Sequence, residues 1–66
     1  MTASQRQALE DVRDYNDPWH SVKGSQHGAW PRLMAVLTRH KWCRYDTRQR
    51  CWLLTRAGAR ALVQGA

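Results

Sequence analysis

The spacing of the apolar residues changes once along this chain, at Trp42, and this change limits the possible fold more than any other feature. Before Trp42 the apolar residues recur every three or four positions, which is the spacing of one helix face. From Trp42 to Leu54, two short runs rich in aromatic and apolar residues flank the polar segment 46–50, which is typical of two strands and a turn. The pattern therefore predicts helices, then one small antiparallel hairpin, then a last helix.

The first helix is predicted over Ser4–Tyr15. Thr2 or Ser4 is its expected N-cap, because a hydroxyl there accepts a hydrogen bond from a free amide of the first turn. Its apolar face is expected to consist of Ala8, Leu9, Val12 and Tyr15. The charged residues expected on its polar side are Glu10, Asp11 and Arg13.

A second, shorter helix is predicted to begin after Asn16. Asp17 and Pro18 suit the N-cap and the first position of a helix. We expect this helix to run from Pro18 to Lys23, with Gly24 as its left-handed C-cap.

The third helix is predicted over about 30–40, since Pro31 is tolerated in a first helical turn. Its apolar stripe is expected to consist of Trp30, Leu33, Met34 and Leu37. The residues expected to face the other way are Arg32, Ala35, Val36 and Arg39. Two arginines with small residues between them suit a helix that lies in a groove.

The hairpin is predicted over about 42–54, with strands 42–45 and 51–54 and with Trp42 opposite Trp52. The residues expected to face inward are Trp42, Trp52 and Leu54, and those expected to face outward are Cys43, Tyr45, Cys51 and Leu53. Thr55 is the expected cap of a terminal helix over about 56–63. Gly58 in its first turn allows another backbone to approach closely.

The length limits the chain to one domain, 1–66, of 7.7 kDa, and a hydrophobic content of 42% suffices for a compact core. The residues expected to be largely buried are Leu9, Val12, Leu33, Leu37, Trp42, Leu54 and Leu62. No apolar run approaches the ~20 residues of a membrane-spanning helix. The segment 1–13 lacks the apolar stretch of a secretion signal, so we expect a cytoplasmic protein without membrane contact.

Charge is distributed unevenly along the chain, whose formal net charge is +6. Residues 1–22 carry two arginines against four carboxylates, a net −2, whereas residues 23–66 carry nine cations against Asp46 alone, a net +8. Nine of the eleven cations are arginine, whose planar guanidinium suits phosphates and guanine edges. The basic part is therefore either a solvated surface or a polyanion-binding face.

The segment Leu54–Leu62 reads LTRAGARAL and resembles the LTxxGxxAL segment that closes the wing and enters the last helix of many bacterial winged-helix regulators. The order of elements over about 4–63 is also similar to that of a winged helix-turn-helix domain. Such domains usually have Gly where this chain has Lys41, and a left-handed Lys costs about 1 kcal/mol, which leaves open how the third helix ends. The hairpin tip also lacks Gly, so the type of its turn is open.

The resemblance implies a small bacterial or phage transcriptional regulator that binds duplex DNA through its recognition helix, about 30–40, and its wing. The residues implicated in that contact are Lys23, Gln26, Arg32, Arg39, Arg44, Thr47, Arg48 and Arg50. Arg32 and Arg39 are expected to reach base edges, and Arg48 and Arg50 to reach phosphates or the minor groove. The alternative is a phage-encoded inhibitor of the anti-CRISPR or polymerase-binding type, which uses the same scaffold against a host protein.

The remaining chemistry-bearing residues do not predict a catalytic or metal site. No CxxC or HxxxH pair is present among Cys43, Cys51 and the three histidines, so no metal or cofactor is expected. Asp17 and His20 have no accompanying nucleophile, so no enzymatic activity is expected. A Cys43–Cys51 disulfide is conceivable if Trp42 pairs with Trp52, but free thiols are the expectation in a cytosolic protein.

A domain this small contacts few base pairs, and two-fold related sites commonly supply the missing specificity. We therefore expect a homodimer rather than a monomer that gains stability from its partner. The first and last helices are the expected contacts, through apolar surface around Tyr15, Trp19 and Val63.

Overall fold

The computed structural model describes residues 1–21 and 30–64, apart from the side chain of Trp30. Within these residues three helices and one two-stranded antiparallel sheet are present. They are α1 (Ala3–Tyr15), α2 (Trp30–Arg39), β1 (Cys43–Asp46), β2 (Cys51–Leu54) and α3 (Arg56–Gln64). The prediction of a mainly helical chain with one small hairpin is confirmed, and this layout is compatible with a winged helix.

Both ends of α1 are capped by side chains or by left-handed backbone. The Thr2 hydroxyl accepts a hydrogen bond from the Gln5 amide, and the Gln5 side chain accepts one from the Thr2 amide, so two free donors are satisfied reciprocally. At the other end Asn16 is left-handed, with φ 57°, a conformation that asparagine tolerates. Asn16 also exchanges two hydrogen bonds with Trp52, which fixes the end of α1 to β2.

Two expectations for the faces of α1 are wrong. Tyr15 was expected on the apolar face but is 54% exposed and stacks on His20, with ring centroids 3.6 Å apart. Asp11 was expected on the polar side but is only 2% exposed. Its carboxylate accepts hydrogen bonds from the Ser21 amide and hydroxyl and from the Gln7 side chain, which compensates for the loss of water.

Asp17 caps the chain after α1 as expected, but the prediction of a helix from Pro18 is wrong for residues 18–21. The Asp17 carboxylate accepts a hydrogen bond from the Trp19 amide at 3.0 Å, and residues 18–21 form a turn rather than a helix. The rest of the expected second helix, including Lys23 and its Gly24 cap, lies outside the described residues.

The end of α2 settles the question that Lys41 raised. Lys41 does adopt the left-handed conformation, with φ 61°, in the place where a glycine is usual. The Trp42 amide donates to the Leu37 carbonyl, and the Lys41 amide donates to the Thr38 carbonyl, at 3.1 and 2.9 Å. These two bonds form a Schellman motif, so the helix ends as in a glycine-capped chain, at the expense of a strained lysine.

The register of the hairpin differs from the predicted one. Cys43 pairs with Leu54, and Asp46 pairs with Cys51, so Trp42 does not pair with Trp52. Cys43 therefore shares the inner face with Leu54 and is buried, whereas it was expected outside. With this register Cys43 and Cys51 do not face each other, and both are free thiols. The expected sides of all four β2 residues are confirmed, because Trp52 and Leu54 lie on the face of Cys43, opposite Cys51 and Leu53.

The start of α3 is held against Trp42. The Thr55 hydroxyl accepts a hydrogen bond from the Gly58 amide, which confirms Thr55 as the cap, and the Thr55 amide donates to the Trp42 carbonyl. A β-carbon on Gly58 would lie 1.9 Å from the Trp42 carbonyl oxygen and 2.8 Å from a Leu54 methyl group. The expected close approach at Gly58 is therefore present, and only glycine fits it.

One core lies between α1, α2, the hairpin and α3. Four of the seven expected core residues are buried: Leu9, Val12, Leu37 and Leu62. The other three, Leu33, Trp42 and Leu54, are half-buried and pack against that core. Ala8, Met34 and Cys43 complete it.

Candidate nucleic-acid interface

The outer face of α2 carries two of the candidate arginines. Arg32, Ala35 and Arg39 are exposed and lie three and four positions apart, so they share one side of the helix. Met34 and Leu37 bury the opposite side, which fixes the rotation of the helix about its axis. The guanidinium groups of Arg32 and Arg39 can therefore reach a ligand on either side of Ala35.

The hairpin tip presents a second group of candidates, Thr47, Arg48 and Arg50, all of which are exposed. The Asp46 carboxylate accepts a hydrogen bond from the Arg48 amide at 2.9 Å and one from the Gln49 amide at 3.4 Å, which closes the turn. Arg50 is left-handed, with φ 57°, and takes the position that glycine usually occupies in such a turn. The polar loop at the hairpin tip is therefore held in one conformation although it contains no glycine.

Arg44 lies on the outer face of the hairpin, away from the groove that Arg39 lines. It pairs with Leu53 on the outer face, whereas Trp52 pairs with Tyr45 on the other face, with ring centroids 5.3 Å apart. Arg39 and Trp52 line one groove, so Arg39 lies beside the inner face of the hairpin and Arg44 lies on the outer one. The candidates therefore form more than one patch. Lys23 and Gln26 lie outside the described residues.

An open groove of about 660 Å³ lies between α2, the hairpin and the turn after α1. Its lining is mostly apolar and consists of Trp19, Pro31, Met34, Ala35, Thr38, Arg39 and Trp52. Sequence reasoning placed Trp52 on the inner face of the hairpin, where it packs against the core, but did not predict that it also lines a groove. The signal for the groove was the series of small or apolar residues at 31, 35 and 38, which accompany the arginines of the same helix.

The charges near these patches are not neutralised within the fold. In the described part of the chain the one ion pair joins Arg13 to Asp14, with 2.8 Å between Nε and Oδ1. This contact lowers the pKa of the Asp14 carboxyl. The cationic side chains of residues 30–64 are exposed and have no hydrogen-bond or ion-pair partner among the described residues. They are Arg32, Arg39, Lys41, Arg44, Arg48, Arg50, Arg56 and Arg60.

A second depression, of about 400 Å³, lies between α1 and α3. Arg6, Glu10 and Leu62 contribute to its lining, together with Val63, which is 87% exposed. Arg6 also donates to the Leu62 carbonyl at 3.2 Å, which satisfies a free acceptor at the end of α3. This surface includes part of the expected dimer contact, and the homodimer stays a prediction.

Residues 1–21 and 30–64 contain neither a metal-binding cluster nor a helix that could span a membrane. No group of three or more histidine, cysteine or acidic side chains there is arranged to hold a metal ion. No helix in the same residues has both the length and the apolar character needed to cross a membrane.

Comparison with models of protein families, with curated proteins and with solved structures finds no match for this chain. The functional interpretation therefore depends on the residues and on their geometry.

Proposed function

We propose that the protein is a small winged-helix DNA-binding protein of a bacterium or phage, which contacts duplex DNA through α2 and the hairpin. The observation that carries this proposal is the set of eight exposed, unpaired cations in residues 30–64. Over the same residues the only carboxylate is Asp46, which is engaged with the amides of the hairpin tip. A phosphate backbone would supply the missing counter-charge.

In this proposal α2 and the hairpin contact different parts of the duplex. An α-helix fits the major groove, and the Arg32–Arg39 face of α2 is exposed along its length. The hairpin tip extends Arg48 and Arg50 beyond the core, where they can reach phosphates or a minor groove. Both arginines on α2 offer the two parallel donors that match the N7 and O6 acceptors of guanine.

A salt titration of binding to a short random-sequence duplex tests this proposal. We expect binding at roughly 50 mM salt that weakens steeply as salt rises. Arg48→Ala should lower the salt slope by about 0.9 and weaken all sequences alike. Arg39→Ala should instead relax the preference at one base position.

The matched control is Arg13→Gln, which removes one positive charge from the acidic part of the chain. We expect it to bind like the wild type. Absence of duplex binding at roughly 50 mM salt would overturn the proposal, because phosphate contacts are strong under that condition.

The apolar groove favours a second candidate, a protein-binding inhibitor of a host nucleic-acid enzyme. Half-buried tryptophans beside an arginine are the kind of surface that dominates protein interfaces. Ala35→Lys separates the two candidates, since Ala35 is exposed and lines the groove. An added cation should strengthen non-specific DNA binding, whereas it should disrupt docking of an apolar protein surface.

A further inference from the structure

Three of the unpaired cations lie away from both the outer face of α2 and the hairpin. Lys41 follows the end of α2, and the Thr55 hydroxyl donates to its carbonyl at 2.5 Å, so α3 begins directly beside it. Arg56 is the first residue of α3, and Arg60 follows one turn later on the same side. All three are exposed, and we call them the basic strip because Thr55, the residue before Arg56, is bonded to the Lys41 carbonyl.

Lys41 is placed where the backbone conformation opposes a side chain. Its left-handed backbone, with φ 61°, disfavours any side chain with a β-carbon relative to glycine. Its ammonium group makes no hydrogen bond or ion pair with another described residue. The folded structure therefore gains from this lysine only a cation after the C-terminal end of α2, while glycine would suit the backbone better.

Arg56 is also placed unfavourably. It lies in the first turn of α3, at the positive end of the helix dipole, and that turn contains no acidic residue. An acidic or neutral side chain there would stabilise the helix more than an arginine does. Arg56 thus opposes folding by its charge, and Lys41 opposes it by its backbone conformation.

We propose that Lys41, Arg56 and Arg60 contact backbone phosphates of the bound duplex, which extends the DNA-binding surface past α2 onto α3. The inference rests on the proposed function and adds a set of phosphate contacts to it. It also assigns α3 a part in DNA binding, whereas the sequence favoured α3 as a dimer element away from the basic face. Charge complementarity selects the partner, because a strip of cations without carboxylates needs a polyanion.

The test compares five variants with the wild type by duplex titration and by thermal melting. Lys41→Gly removes the charge and the backbone strain, and Lys41→Gln removes the charge alone. Both should lower the salt slope by about 0.9 and weaken binding about fivefold at moderate salt. Lys41→Gly should also raise the Tm by roughly 4–8 °C, whereas Lys41→Gln should not.

Arg56→Gln should lower the salt slope in the same way without lowering the Tm. Arg13→Gln is the charge-matched control on α1 and should retain the wild-type slope. Wild-type slopes for the Lys41 and Arg56 variants, together with a reduced slope for Arg48→Ala, would overturn the inference and leave the proposed function standing. Failure of the wild type to bind duplex DNA would overturn both. A fall of the Tm in Lys41→Gly would contradict the claim that Lys41 opposes folding.

Discussion

Charged side chains have different contacts in residues 1–21 and in residues 30–64 of this molecule. In residues 1–21, five of the six charged side chains have a hydrogen-bond partner: Arg6, Asp11, Arg13, Asp14 and Asp17. In residues 30–64, Asp46 alone of nine has one among the described residues. Charge therefore holds the first region in shape, whereas the second is held by packing and backbone contacts and its cations are available to a ligand.

The largest effect expected is at Gly58, where the second region depends on backbone contact. Gly58→Ala places a methyl group on the Trp42 carbonyl, and we expect it to lower the free energy of unfolding by about 3 kcal/mol or more. Urea denaturation measures this change. Ala59→Gly, at an exposed position of the same helix, should cost only about 1 kcal/mol. Equal costs for the two variants would show that the close approach at Gly58 is unimportant.

The next effect concerns the first region, where a buried carboxylate organises the chain. Asp11→Ala leaves the Ser21 amide and hydroxyl without their acceptor and should cost about 1–3 kcal/mol. Asp14→Ala breaks an exposed ion pair and should cost less than about 1 kcal/mol. Both values come from denaturant titration near pH 7. If Asp14→Ala proved the more costly, the contrast between buried and exposed charge in α1 would be wrong.

The smallest effect concerns pH and the inner face of the hairpin. Burial raises the pKa of the Cys43 thiol and outweighs an opposing hydrogen bond with Thr38. The folded chain then holds this proton to higher pH than the unfolded chain does. Its contribution is fully present below the ordinary thiol pKa of about 8.5 and is lost as pH rises above it. Cys43→Ala should reduce the fall in stability between pH 8 and pH 10. An identical decline in wild type and Cys43→Ala would contradict this.

The elements of the fold were predictable because each has a strong local signal. The change of spacing at Trp42 located the hairpin, and Thr55 and Gly58 located the start of α3 and its close contact. The strand register was not predictable, because strands of four residues leave several pairings open and the tip has no glycine to select one. Only the pairing of Cys43 with Leu54 shows that the cysteines lie apart.

The candidate site was predictable in its charges but not in its shape. The excess of arginine after residue 30 is visible in the sequence, and so is the exposed face of α2. The burial of Asp11 depends on Ser21, ten positions away, and the groove depends on Trp52 meeting α2. Contacts between distant segments leave no periodic trace, so sequence reasoning assigned Asp11 to the polar side and did not predict the groove.

The backbone of Trp42 joins the end of α2 to the start of α3. Its amide closes the last turn of α2 onto Leu37, and its carbonyl receives the Thr55 amide and lies against Gly58. A ligand that displaces α2 must therefore displace the start of α3 with it. Binding on the exposed face of one helix should then change the hydrogen-exchange protection of the Gly58 amide on the other, at a position that no ligand touches.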